Sequence, residues 1–398
     1  MNPATPAAVQ SRDSALRSAL QSWNHFWFRP ADPTVLGFIR IWCGLITLYV
    51  HVAYTVDLQE FFGKDAWFSL PLATEFRRDV PWVAPSPDWY DDPSALSMPT
   101  DPAERAQILE YAQKWGTDPR TALARGNVYS SVWFHVTDPA WMNIVHGGVL
   151  AIMLLFTLGF CTRVTSVLTW LAALSYIQRS PITLFGMDTM MNIALLYLMI
   201  GPSGAALSLD RLIARYRWKR CHPGLPALPV EPSVSANFAI RLMQVHFCFI
   251  YMGAGLSKLL GGVWWNGTAL WGTVANYEFT PIRFAYYAEP LRWLCQHRWL
   301  WEIVMTTGVV YTLALEISFP FLVWQRKFRG LMVAGSVLLH TVIAFSMGLI
   351  GFGLFMMVLV MSFIPAEALH ELLNGFGRRI SGPRATPTAL ARGGSQAA

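Results

Sequence analysis

The chain has 398 residues, of which 54% are hydrophobic and only 14% are charged. Soluble domains average about 25% charged residues, so this composition excludes an ordinary soluble protein. The net charge of +6 is not gathered into a basic tract with interleaved aromatic residues, which indicates a lipid bilayer rather than a nucleic acid as the partner. The five cysteines show no CxxC spacing, and we predict neither a disulfide framework nor a metal site.

Apolar runs of membrane-helix length recur along the chain and predict an all-α, polytopic bundle of about eight transmembrane helices. The predicted spans are residues 35–55, 142–160, 164–180, 184–201, 236–257, 301–323, 330–347 and 350–365. Residues 1–34 are expected to form a cytoplasmic N-terminal segment, with an interfacial aromatic stretch at residues 23–28. Residues 35–366 form the predicted membrane domain, and residues 367–398 are predicted to be a disordered cytoplasmic tail.

Basic residues are concentrated in loops that an eight-span arrangement places on one side. They are Arg211, Arg215, Arg217, Lys219, Arg220, Arg326, Lys327 and Arg329. Residues 57–140 instead hold 13 acids against 7 bases. Because short basic loops stay in the cytoplasm, we expect both termini to lie inside, as in a bacterial inner membrane. Loops 57–140 and 258–300 are then expected outside.

Three charges lie in the inner half of the predicted spans, namely Arg40, Arg241 and Glu316. A charge at bilayer depth costs at least ~2.5 kcal/mol on insertion scales and therefore requires a partner or a purpose. We predict a structural ion pair between Glu316 and one of the two arginines.

A second group of polar residues lies near the predicted outer ends of the spans, where a substrate from outside would arrive. Lys258 ends the fifth predicted span and is a candidate catalytic base, and His340, a second candidate, lies in the middle of the seventh span, from where it can point into the same outer cavity. The predicted substrate-binding residues are His51, His146, Asp188, Gln244 and Tyr251. Gln244, Tyr251 and Lys258 follow at intervals of seven residues, which places them on one helix face. The alternative for each residue is a snorkelling or hydrogen-bonded structural role.

Three motifs stand out in chain order. Residues 38–44 read FIRIWCG, residues 158–163 read LGFCTR, and residues 251–259 read YMGAGLSKL ahead of two tryptophans and a glycine. Together they resemble the HTTM family, the membrane domain shared with vitamin K-dependent γ-glutamyl carboxylases. The likeness to the bacterial type is the closer one, and it runs from about residue 23 to residue 366.

The resemblance implies that Lys258 is the base that starts oxidation of a quinol, such as reduced vitamin K, by O2. His340 matches the family's closing helices more weakly. The implied partner is an exported protein or peptide substrate. Two departures from the family are visible. Residues 191–194 read MNIA where the family enzymes carry a histidine. We also expect no propeptide-binding domain after the last span.

Three functions remain open at this point. A carboxylase-like enzyme, a quinol-dependent carbon–carbon lyase, requires Lys258 at a cavity reachable from the bilayer. A non-catalytic membrane partner for the maturation or export of another protein tolerates the loss of Lys258. A small-solute transporter requires a pathway to the inner side, which the predicted layer of Arg40 and Glu316 would block.

Overall fold

The computed structural model describes residues 6–78, 101–115 and 130–380. Within these ranges the chain forms helices and turns without a β-strand, which confirms the all-α prediction. The α-helices are α1 (Pro6–Phe28), α2 (Thr34–Ala53), α3 (Leu58–Phe62), α4 (Leu70–Arg78), α5 (Pro102–Trp115), α6 (Pro139–Leu158), α7 (Thr162–Arg179), α8 (Gly186–Ile200), α9 (Leu209–Cys221), α10 (Val234–Leu259), α11 (Gly262–Trp265), α12 (Ala269–Val274), α13 (Ala285–Gln296), α14 (Arg298–Leu322), α15 (Arg329–Ser346), α16 (Ile350–Val360) and α17 (Ala366–Ile380).

Each of the eight predicted spans contains a helix, but the structure does not confirm eight crossings. Five of the described helices are long and apolar enough to cross a membrane by length and composition: α2, α6, α10, α14 and α15. A sixth results if α16 and α17, which are bent by 113° at their junction, count as one broken span. Helix α8 is apolar but has only 15 residues. The number of spans and the orientation of the termini therefore stay predictions.

The outward faces of the long helices carry large apolar side chains. Ile144, Phe249, Phe321 and Phe345 are each 60–71% exposed. Monomeric soluble proteins rarely expose an apolar surface that extends over several helices. Such a surface is what lipid chains cover around a helical bundle, where every backbone polar group is bonded within its own helix.

Helix α10 lies at the centre of the described bundle and packs against α1, α8, α14 and α16. Ser233 caps its first turn, since the serine hydroxyl accepts from the backbone N–H of Ala236. Further along, the rings of Phe247, Tyr251 and Phe319 are buried and in mutual contact, with centroids 4.5–5.2 Å apart. Stacked and tilted aromatic contacts of this kind hold α10 firmly against α14.

The turn between α6 and α7 meets α2 at Arg40. Gly159 takes the left-handed conformation there, with φ +72°, and an added Cβ would lie 2.6 Å from Nη1 of Arg40. The guanidinium donates to the carbonyl oxygens of Ser203 (2.7 Å) and Leu207 (2.5 Å). Glycine is thus required both by the backbone and by the close approach of the arginine. The FIRIWCG motif of residues 38–44 and the LGFCTR motif of residues 158–163 therefore meet at this point.

Asp210, in the first turn of α9, joins the same turn. Its carboxylate accepts from the backbone N–H groups of Cys161 and Thr162, both at 2.8 Å, and from the Thr162 hydroxyl. Burial raises the pKa of Asp210, but these hydrogen bonds and the Arg40 charge lower it by more, so the pKa lies below its ordinary value. Asp210 therefore caps α7 as a carboxylate and ties α9 to α7.

The structure departs from the prediction of a disordered tail beginning at residue 367. Helix α17 continues to Ile380, because it is amphipathic and finds a core to cover. Leu369 is buried in that core and Leu373 packs on it. His370 Nε2 lies 2.9 Å from Oδ2 of Asp32, which joins the helix to the segment before α2. Residues 381–398 lie outside the described ranges.

Candidate functional site

The last turn of α10 carries the first element of the site, an ion pair between Lys258 and Glu316 of α14. The ammonium nitrogen of Lys258 donates to both carboxylate oxygens, at 2.8 and 2.9 Å. The Lys258 side chain is 23% exposed and that of Glu316 is 8% exposed. The lysine also lies over the ring of Trp264, 5.4 Å from its centroid. A buried carboxylate is thus paired with a cation that still reaches the surface.

Glycine makes this approach of α10 and α14 possible. A Cβ added to Gly255 would lie 2.8 Å from a side-chain carbon of Ile317 and 3.2 Å from Cβ of Glu316. Gly253, two residues away, has no atom of the described structure within 4 Å of such a Cβ. Small residues at helix crossings allow close backbone contact in membrane bundles. Gly255 therefore sets the distance from which Lys258 reaches Glu316.

The predicted ion pair between Glu316 and Arg40 or Arg241 is wrong, because Glu316 pairs with Lys258 instead. Arg40 binds backbone carbonyls. Arg241 donates to Oε1 of Gln244 at 2.8 Å and lies over the ring of Phe26, 4.4 Å from its centroid. Each arginine thus finds its hydrogen-bond partners in carbonyl or amide oxygens.

The physical reason for this error is an offset between helices. Counting residues from the ends of two spans assumes that both spans begin at the same depth. The first turns of α14 instead pack beyond the end of α10, where Trp301 contacts Trp271 of α12 with ring centroids 5.8 Å apart. This shift brings Glu316, assigned to the inner half of its span, level with Lys258, assigned to the outer end of its own.

A second network lies one to two turns deeper on the same helix. The Tyr251 hydroxyl lies 2.5 Å from Oγ of Ser336 and 2.8 Å from Nε2 of His340, both on α15. All three side chains are buried, and Nδ1 of His340 has no hydrogen-bond partner within the described residues. The charge of Glu316 acts on Tyr251 and that of Lys258 on His340. The two networks are therefore electrostatic neighbours.

Gln244, the third member of the predicted stripe on α10, belongs elsewhere. Its Nε2 donates to the carbonyl oxygen of Ser362 at 2.6 Å, and its oxygen accepts from Arg241. Gln244, Tyr251 and Lys258 do share one face of α10, but their side chains contact different neighbouring helices. Tyr251 and Lys258 meet α14 and α15, whereas Gln244 meets the end of α16.

The remaining predicted substrate-binding residues come together in a separate cluster around Tyr176 of α7. The Tyr176 hydroxyl lies 2.6 Å from Nδ1 of His146, whose Nε2 lies 3.0 Å from the Thr55 hydroxyl. His51 and Asp188 line an adjoining cavity of about 140 Å³. The predicted outer group therefore divides into two sites, one with Lys258 and His340 and one with His51, His146 and Asp188.

In this second cluster His51 has a free ring nitrogen. Its Nδ1 lies 2.8 Å from the Thr47 carbonyl oxygen and must donate to it, so the neutral ring carries its lone pair on Nε2. Nε2 is buried and has no partner in the part of the chain that the structure describes. The cluster therefore keeps one buried acceptor without a partner among the described residues.

Several structurally important residues were not predicted from the sequence. Tyr176 and Ser336 are uncharged and sit in apolar runs, so no charge pattern marks them. Arg179 is fully buried and donates to the carbonyl oxygens of Phe68 (2.8 Å) and Gly63 (2.7 Å). Its position at the end of an apolar run was the one available signal, since a terminal arginine there either snorkels or binds backbone.

No family model, curated protein or solved structure matches this chain. The resemblance to the HTTM family thus rests on the sequence motifs and stays a prediction. Within the described residues, no group of three or more His, Cys, Asp or Glu side chains is placed to hold a metal ion.

Proposed function

We propose that the protein is a multi-pass membrane enzyme of the HTTM, carboxylase-like type that takes a proton from a lipid-soluble quinol at Lys258. The observation that carries this proposal is the Lys258–Glu316 pair next to the hydrogen-bonded Tyr251 and His340. Four groups that exchange protons, drawn from three helices, form two neighbouring networks about two helical turns apart on α10. An ion pair that only stabilises the fold does not require further proton-exchanging side chains, such as Tyr251 and His340, beside it.

The pair supplies a base as follows. Transfer of one proton from the Lys258 ammonium to the Glu316 carboxylate, along a hydrogen bond of 2.8 Å, leaves two neutral groups. The amine then takes the proton of a quinol hydroxyl, and the quinolate that forms is stabilised by the new ammonium. The substrate proton ends on Lys258 and the original lysine proton on Glu316. O2 is the oxidant that the resemblance implies for the quinolate.

The surroundings of Lys258 suit a flat, apolar substrate. Its side chain is 23% exposed, so part of the residue reaches the surface of the bundle without unfolding. The Trp264 ring beside it offers a face on which an aromatic ring can stack. A quinol combines this flat shape with an acidic hydroxyl group.

The test measures oxygen uptake by the purified full chain in non-ionic micelles supplied with a short-chain naphthoquinol. We expect Lys258→Ala to lower the rate at least about a hundredfold, the lower range for general base catalysis. Lys258→Arg should fail nearly as badly, because arginine does not release its proton. Lys327→Ala, which removes an exposed lysine in the turn before α15, is the matched control and should keep the full rate.

Two results would overturn the proposal. The first is a wild-type rate no higher than that of protein-free micelles. The second is full activity of Lys258→Arg in a complementation assay, which would show that only the charge matters. A non-catalytic partner for protein maturation or export would then be the better account.

A further inference from the structure

At the end of α10 opposite to Lys258, a cavity of about 740 Å³ opens between the segment before α2, the turn between α14 and α15, and the bend between α16 and α17. Its charged lining consists of Arg29, Arg241, Arg326, Arg329, Asp32 and Glu367. Four cations thus face two acids. Arg241 and Lys258 are 17 residues apart on one helix, or ~25 Å at 1.5 Å per residue, so the cavity is distinct from the proposed active site.

The two acids do not neutralise the arginines. The Asp32 carboxylate is occupied by the backbone N–H and hydroxyl of Thr34 and by His370. Glu367 is exposed at the rim. Arg29 and Arg329, both positive, are close enough to act on the charge of Arg241. The cavity therefore holds an excess of positive charge that an anion from outside the chain can balance.

Arg241 is held in place before any ligand arrives. Its guanidinium lies 4.4 Å from the ring centroid of Phe26 and 5.5 Å from that of Trp324. One of its nitrogens donates to Gln244, whose own amide is fixed on Ser362. Its Nε is buried and finds no partner among the described residues. An arginine fixed in this way loses little freedom on binding an anion.

We infer that this cavity binds the phosphate-bearing headgroup of an anionic phospholipid. Arginine forks match phosphate oxygens and bind them through charge-assisted hydrogen bonds. The lining also includes three exposed apolar residues, Pro30, Pro232 and Pro365, which the first carbons of the acyl chains can contact. A soluble phosphate compound makes no such apolar contact. The cavity also lies among the ends of helices long enough to cross a membrane, where anionic headgroups attract basic side chains.

The test is native mass spectrometry of the purified full chain in non-ionic detergent, titrated with dioleoylphosphatidylglycerol or dioleoylphosphatidylcholine. We expect the anionic lipid to bind at least about tenfold more tightly than the zwitterionic one, which has the same acyl chains. Arg326→Gln and Arg241→Gln should each weaken binding of the anionic lipid by about tenfold. Arg217→Gln, which removes an exposed arginine of α9 outside the cavity, is the matched control and should leave binding unchanged.

Arg326 is exposed, so its replacement should leave the fold intact. The Arg326→Gln variant therefore tests the inference even if Arg241→Gln proves unstable. Equal binding of the two lipids would overturn the inference, as would equal weakening by Arg217→Gln and Arg326→Gln. A competition experiment with inorganic phosphate distinguishes a lipid headgroup from a soluble phosphate compound. Full displacement of the anionic lipid by millimolar phosphate would assign the cavity to soluble phosphate compounds, whereas persistence of the lipid supports the headgroup.

Discussion

Breaking the Lys258–Glu316 pair should destabilise the protein by an amount that depends on which partner is removed. Lys258→Met deletes both hydrogen bonds, of 2.8 and 2.9 Å, and leaves a carboxylate that is 8% exposed in the native fold. Breaking a buried pair from one side costs about 3–5 kcal/mol. Because the lysine end of this pair is partly solvated, we expect the free energy of unfolding to fall by about 3 kcal/mol, at the low end of that range.

Glu316→Gln should be milder, since the amide oxygen still accepts from Lys258 and the ammonium keeps its contacts with Trp264 and solvent. We expect a loss of about 1.5 kcal/mol, the lower value for a hydrogen bond to a charged group. The double variant should lose about 3 kcal/mol rather than the additive 4.5 kcal/mol, a coupling of about 1.5 kcal/mol.

The free energies of unfolding of the wild type, the two single variants and the double variant can be compared by circular dichroism during SDS titration in mixed micelles. The matched control is Arg298→Met with Glu302→Gln, an exposed pair 2.7 Å apart in the first turns of α14. Its coupling should stay below about 0.5 kcal/mol because solvent screens it. If the Lys258–Glu316 cycle is additive within about 0.5 kcal/mol, the two side chains do not pair in the folded protein and the argument from their geometry fails.

Three further predictions concern packing, pH and topology. Gly255→Ala should lower the free energy of unfolding by about 1–3 kcal/mol, because its Cβ would overlap side chains of α14, whereas Gly253→Ala should be neutral or stabilising; equal melting temperatures would contradict this. Asp210→Asn should cost about 1 kcal/mol at pH 7, a capping loss reduced by solvent screening. Since the folded-state pKa of Asp210 is lowered, its carboxylate stabilises the fold above the unfolded pKa of about 3.9. That stabilisation disappears as the pH falls through the folded pKa, so a deficit that persists in strong acid would refute the assignment. The exposed Cys295 and Cys221 report topology without new cysteines: an impermeant maleimide applied to intact cells should label Cys295 and spare Cys221, and the reverse would invert the proposed orientation.

The sequence by itself determined the helical class and the approximate positions of the five helices that are long and apolar enough to cross a membrane. Runs of apolar residues report helix length directly, because a chain in lipid must bond its backbone within each segment. The sequence also placed Tyr251 and Lys258 on one helix face, since helical periodicity is a local property. Both side chains do face neighbouring helices with polar groups in the structure.

Only the tertiary structure decided which side chains meet. The partner of Glu316 depends on the offset of α14 against α10, and this offset follows from Gly255 and from the aromatic contact of Phe247 with Phe319. Arg326 and Arg329, two of the basic residues counted as signs of topology, likewise line one cavity together with the bend between α16 and α17. Contacts between helices depend on relative shift and rotation, which small residues and ring packing set, and no single segment of sequence contains that information.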